Sequence, residues 1–270
     1  MTFSGCCGGH KDAWKDNLRP ECYEEFAHYL VDVCKHYKEK YGIEFKTLDP
    51  FNEPNTNYWY AGGSQEGCHF DFSSQIAFLK VLHPILQASG LQTVISASDE
   101  TSVMTSVKGF QAYQQAGVLP LVGQWNTHTY EANDEARIHL SQLCREQKKH
   151  LWMSEVGSGG KGLDGNLKLA EKLIHDIRLL RPAAWLDWQY IEDNNDQWCL
   201  VKGDFYGGTQ EFHKVKNYYV RQQFSRFIPE GYQFIHSSEE STLAALSPQA
   251  DTLVIVSINR TEQAKNMQVD

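Results

Sequence analysis

The chain has 270 residues, 41% hydrophobic and 22% charged, a composition that builds a substantial core and excludes a disordered or fibrous chain. Twenty-five Lys and Arg against 34 Asp and Glu leave a net charge of −9, the wrong sign for gathering phosphates, so nucleic acid is not an expected partner. No apolar run approaches the ~20 residues of a spanning helix, so no membrane partner is expected either. The seven Cys have no C-x-x-C spacing, so they read as structural thiols or one or two disulfides rather than a zinc site.

Residues 1–4 read as a possible strand remnant. Over 20–41 the apolar positions Tyr23, Phe26, Ala27, Leu30, Val33, Cys34 and Tyr37 recur at intervals of three and four, which predicts a helix with one buried face, opened near Pro20 and stopped at Gly42. A buried strand follows over 43–51, ending in Pro50-Phe51-Asn52-Glu53-Pro54, a run that cannot continue regular structure. Ser73 is the expected cap of a second helix closed by Gly90, and 93–97 is the next strand. Shorter copies come after it: helix 110–115, strand 121–128, helix 135–147, strand 151–155, helix 167–180 and strand 183–190.

Strand–helix alternation with short connections implies a parallel sheet covered by helices. No Gly-rich phosphate turn follows the first strand, while polar and aromatic residues collect at strand ends: Asn52 and Glu53, Asp99 and Glu100, His128 and Tyr130, Glu155, Trp188 and Tyr190. That placement favours an α/β fold of (β/α)8 barrel type over a doubly wound nucleotide binder. Six strands are two short of eight, so the expectation is a barrel lacking its first two strand–helix units. After a helix at 215–224, short strands at 232–236, 242–246 and 252–258 predict the start of an all-β side domain. The expected domains are 1–228 and 229–270.

The acids Glu53 and Glu155 each end a strand. Hydrolysis of a glycosidic bond needs two carboxyl groups flanking it, one to protonate the leaving oxygen and one to attack or to activate water. Asn52 adds a neutral amide suited to a sugar 2-hydroxyl. The acids Glu192, Asp193 and Asp196 lack the alternating ligands and Gly of a calcium loop, so neither metal nor cofactor is expected.

The runs Asp49-Pro50-Phe51-Asn52-Glu53-Pro54, Gln65-Glu66-Gly67-Cys68-His69-Phe70 and Trp152-Met153-Ser154-Glu155-Val156-Gly157 resemble glycoside hydrolase family 30. The resemblance extends from Met1-Thr2-Phe3-Ser4-Gly5 to Ser225-Arg226-Phe227-Ile228. It implies a retaining enzyme with Glu53 as general acid/base and Glu155 as nucleophile, Glu53 resting protonated and Glu155 ionised. It further implies Asn52 on the 2-hydroxyl, Tyr130 on the nucleophile, His128 facing the sugar and Trp188 as the floor of the first subsite. A buried core histidine is an equal reading of His128. Trp59 is expected to line a subsite, ahead of Glu66. Within the family, Asn52-Glu53-Pro54-Asn55-Thr56-Asn57-Tyr58-Trp59 and the Gln65–Phe70 run most resemble the endo-β-1,6-galactanases of plant arabinogalactan. The alternatives are β-1,6-glucan, xylan or fucoside hydrolases of the family, or a non-catalytic carbohydrate-binding barrel. The expected partner is a polysaccharide or oligosaccharide, the expected state a monomer, and the expected location secreted, although residues 1–5 do not resemble a secretion signal.

Overall fold

The structure is a computed structural model and describes residues 10–63, 65, 67–157, 159–208 and 211–268. The expected strand at 1–4 and Glu66 lie outside the described residues. The chain divides into two compact units, one running to Glu155 and including Pro182–Trp185, the other comprising Val156–Arg181 and Leu186–Asp270. The expected boundary at 228/229 falls inside the second unit.

Strands β1 (Thr47–Leu48), β2 (Val94–Ser102), β3 (Val122–Glu131), β4 (His150–Val156) and β5 (Ala184–Asp187) form one sheet in sequence order. The β1–β2, β2–β3 and β3–β4 pairs are all parallel. Helices α1 (Tyr23–Tyr41), α2 (Phe72–Ala88), α3 (Val103–Gln115) and α4 (Asp134–Glu146) alternate with the strands. This is the parallel sheet of a half-barrel, as the alternation implied.

Local chemistry moves several boundaries. The strand expected over 43–51 shrinks to two paired residues, because Pro50 and Pro54 have no N–H to give to a ladder and the segment between them turns away. Helix α2 is capped by Asp71, not Ser73: the Asp71 carboxylate accepts the Ser74 N–H (2.9 Å) and the Ser73 hydroxyl (2.6 Å). Asp16 fixes that cap in turn by accepting the Asp71 N–H (2.9 Å) and bonding His69 Nδ1 (2.9 Å). Strand β2 outruns its expected five residues, carrying Asp99, Glu100 and Thr101 within the ladder region.

Two aromatic clusters seal the first unit between sheet and helices. Phe78 packs edge-on against Tyr23 and Phe51 and tilted against Phe26 and Phe70. Trp125 on β3 meets Phe110 and Tyr113 of α3, and all three are fully buried. Strand β3 is buried along nearly its whole length, the signature of a parallel strand covered on both faces.

In the second unit, α5 (Gly162–His175) runs into a π-helical turn at Asp176–Leu180. An unanticipated small sheet joins β6 (Ile191–Asp193), β7 (Val201–Gly203) and β8 (Phe212–Lys214) ahead of α6 (Lys216–Ser225). The last sheet is antiparallel, β11 (Leu253–Ser257), β10 (Thr242–Leu246), β9 (Gln233–Ile235). Arg178 fastens it by donating to the carbonyls of Glu239, Thr242 and Ser237 at 3.0–3.2 Å.

Candidate active site

Alternation along β3 puts Asn126, His128 and Tyr130 on one face, and each reaches a different acid. Asn126 Nδ2 donates to Asp49 Oδ2 (3.0 Å), His128 Nδ1 lies 3.0 Å from Glu53 Oε1, and the Tyr130 hydroxyl donates to Glu155 Oε1 (2.9 Å). A register shift between Thr127 and His128 sets His128 opposite Glu155 on β4. Its Nε2 is then 3.6 Å from Asp99 Oδ1 and 3.7 Å from Glu155 Oε2. One ligand atom each from Glu53, His128 and Glu155 lie within 4.8 Å of one another.

The loop after β1 is clamped to the end of β2 at three successive residues. The Glu53 N–H donates to the Asp99 carbonyl (2.8 Å), and both residues have left-handed backbones, φ 47° and 51°. Such conformations are strained for non-glycine residues and persist where surrounding bonds enforce them. Asn55 gives its N–H (3.3 Å) and side-chain amide (2.8 Å) to the Glu100 carboxylate. The Tyr58 hydroxyl bonds Glu53 Oε2 and sits 3.0 Å from Thr101 Oγ1. Trp59, one residue on, donates its indole N–H to the Glu53 carbonyl (2.8 Å). Its ring lies where a side chain on Gly67 would have to go.

Burial makes the charge arrangement decisive. For His128, 1% exposed, burial alone would lower the pKa, but the bonds and charges of Asp99 and Glu53, with the charge of Glu155, carry it up to about 10. It is an imidazolium among carboxylates. Burial pushes Asp49 well up and its neighbour Asp99 adds to the rise, whereas Asp99 stays low because His128, Asp49 and Ser154 outweigh its own burial. Asp49 is therefore the protonated partner and Asp99 the ionised one. Beneath the clamp, burial lifts Glu100 to about 7 against the bonds from Asn55 and Gln75.

The two glutamates divide in the opposite sense to expectation. Burial raises Glu53, but His128 and Tyr58 more than offset it and the net direction is down. Burial raises Glu155 too, and there the His128 charge and the Tyr130 bond do not overcome it, with Glu53 and Asp99 adding repulsion. In the site without a sugar the Glu53 pKa is thus held below the usual carboxylate value and that of Glu155 above it. The cause is distance: His128 is hydrogen-bonded to Glu53 and only near Glu155.

Of the residues singled out from sequence, Glu53, His128, Tyr130 and Glu155 come together. His128 faces carboxylates and is closed off from solvent. Asn52 is exposed beside Glu53. Trp59, expected along a subsite, is 2% exposed and packs beneath the loop, so it offers no open ring face. Trp188 belongs to the second unit, where it is 46% exposed and bonds the Val156 carbonyl through its N–H (2.9 Å). The roles of Tyr58, Thr101, Asp49 and Asp99 were not foreseen. Tyr58 lies in the quoted Asn52–Trp59 run, and Asp99 ends a strand, but neither position announces its partner. The Glu53–His128–Glu155 group has the donor types of a cation site, yet a protonated histidine engaged by carboxylates is itself the cation that balances this cluster.

Residues 2–119 match the family described as O-glycosyl hydrolase family 30. The chain is 32% identical over 259 residues to an endo-β-1,6-galactanase of Hypocrea rufa, an alignment covering 94% of this chain and 52% of that protein. The chain therefore spans about half the length of this curated relative. Among solved structures, a conserved exported protein from Bacteroides fragilis aligns with a TM-score of 0.78 at 17% identity, covering 94% of this chain and 62% of that one. The catalytic domain of the family 30 xylanase C from Talaromyces cellulolyticus aligns with a TM-score of 0.63 at 18% identity, covering 83% and 51%. Among the described residues no helix is long and apolar enough to cross a membrane. The sequence matches thus make this chain similar to glycoside hydrolase family 30, through residues 2–119 above all, and the half-barrel fold agrees with that likeness.

Proposed function

We propose that the protein is a retaining, endo-acting β-glycosidase that cleaves β-1,6-galactan side chains of plant arabinogalactan, and that it acts outside the cytoplasm, where that polysaccharide lies. One observation carries the chemistry: the carboxyl oxygens of Glu53 and Glu155 approach within 4.8 Å across His128. That separation suits direct attack, where carboxyl groups stand ~5–5.5 Å apart, and leaves no room for the water that an inverting pair holds at ~6.5–9.5 Å. The substrate class rests on the relative described as an endo-β-1,6-galactanase.

In this reading Glu53 is the acid/base and Glu155 the nucleophile. Glu155 attacks the anomeric carbon as Glu53 gives its proton to the leaving oxygen; water, deprotonated by Glu53, then releases the sugar from Glu155. Attack requires Glu155 as a carboxylate and Glu53 as an acid: the glycosidic oxygen accepting from Glu53 favours its protonated form, and the positive charge that develops at the anomeric carbon in the transition state is stabilised by the Glu155 carboxylate. Asn52 meets the 2-hydroxyl.

The test is digestion of a panel of β-1,6- and β-1,4-linked oligosaccharides with proton NMR of the first product formed. Internal cleavage of β-1,6-galactan with the β-anomer released first is expected. Release of the α-anomer rules out retention, and activity confined to glucan or xylan rules out the substrate.

A further inference from the structure

Glu53 must be a proton donor in one half of the proposed reaction and a carboxylate in the other, yet it is 7% exposed and water cannot readily re-solvate it at each change. A buried group that alternates between these forms needs a neighbour able both to donate and to accept. His128 cannot serve: as an imidazolium it only donates. The groups facing Glu53 are Tyr58 from its own loop, Asp99 and Thr101 from β2, His128 and Tyr130 from β3, and Glu155 from β4. Tyr130 is committed to Glu155 and Asp99 to His128 and Ser154. Tyr58 and Thr101 remain, two hydroxyls 3.0 Å apart, either of which can be the donor, with Tyr58 already on Glu53 Oε2.

We propose that Tyr58 is a positioning residue for Glu53 and that it works with Thr101 as a reversible hydroxyl pair, which stabilises Glu53 in both of its protonation states. With Glu53 ionised, the Tyr58 O–H points at Oε2 and Thr101 backs it. With Glu53 protonated and turned to the glycosidic oxygen, the Tyr58 O–H rotates onto Thr101 Oγ1, so neither phenol nor carboxyl is left unpaired. The proton on Tyr58 is never transferred; it only changes acceptor. This deepens the reading of Glu53 as acid/base and rests on it. The clamp from β2 explains why the pair keeps its register, since Asp99, Glu100 and Thr101 hold Glu53, Asn55 and Tyr58 in turn.

Carbon-13 NMR titration of the labelled Glu53 carboxyl in the parent chain, Tyr58→Phe and Thr101→Val gives a readout independent of turnover. Loss of the Tyr58 donor is expected to move the Glu53 titration up by about one pH unit, and loss of Thr101 to move it up by less. In kinetics, the alkaline limb of kcat/KM should rise with it in Tyr58→Phe. Thr101→Val should slow galactosides with poor leaving groups more than those with good ones, because the acid form has lost the acceptor for Tyr58. An unmoved Glu53 titration in both variants overturns the pair, as does a uniform slowing of all leaving groups by Thr101→Val. A parent chain that hydrolyses no galactoside, with the Tyr58→Phe titration still shifted and Thr101→Val less so, overturns the proposed activity and supports the hydroxyl contacts. An active parent with unshifted variants does the reverse.

Discussion

The surroundings of Glu53 and Glu155 differ more than their matched strand-end positions suggest. Glu53 sits on a loop yet is gripped at both carboxyl oxygens, by His128 and Tyr58, and through its N–H by Asp99. Glu155 sits on a strand, holds one side-chain hydrogen bond among the described residues, from Tyr130, and has His128 at 3.7 Å. The lesson is that rigidity of the backbone element does not decide ionisation. The number and charge of donors aimed at the carboxyl do, and here the loop residue collects more of them.

Substitutions can break this contrast, and the largest effect should come from Glu155→Gln, which removes the proposed nucleophile and is expected to lower turnover roughly 10⁴-fold or more. Glu53→Gln should instead keep the glycosylation step on an aryl galactoside with a good leaving group, seen as a burst of released phenol; the absence of such a burst would equate the two residues. Next comes His128→Asn. Removing the buried imidazolium strands Glu53 and Asp99, and a cost of about 3–5 kcal/mol is expected in urea unfolding at neutral pH.

Changing pH sharpens the same point. The folded-state pKa of His128 stands above its unfolded value of 6.5 at about 10, so its stabilisation is complete below pH 6.5 and is lost as pH rises through about 10. The thermal midpoint of the parent chain should therefore fall across that alkaline range, and that of His128→Asn should fall less. The smallest effect belongs to Tyr130→Phe, which removes one 2.9 Å bond from Glu155. It should raise the Glu155 titration by about one pH unit or less and leave Glu53 unchanged. A shift of both carboxyls together would mean that the two environments are one.

Much of this arrangement could be read from sequence where a period or a strand end carried it. The helix at 20–41 and the strands that carry His128 and Glu155 follow from apolar spacing, and Tyr130 shares the β3 face with His128 because it lies two positions further on. Strand β1 was overestimated because apolar content marks burial, while pairing needs N–H groups that Pro50 and Pro54 lack. Strands β6, β7 and β8 are three residues each, too short to display a period. The opposite directions of the two glutamates' pKa shifts were not legible, because they depend on a one-residue shift between β3 and β4 and on a tyrosine folding back five positions to Glu53. Trp59 shows the same limit: composition cannot tell a ring that lines a cleft from one that fills space under a loop.

That buried tryptophan gives one distant position unusual leverage. Any residue larger than glycine at 67 would overlap the indole, whose N–H is tied to the carbonyl of Glu53. In a random-mutagenesis library, position 67 should tolerate almost nothing and its variants should resemble injuries to Glu53, although it supplies no side chain at all. Engineering of the loop that carries Glu53 would do better to leave that glycine untouched and vary exposed positions such as Asn52 instead.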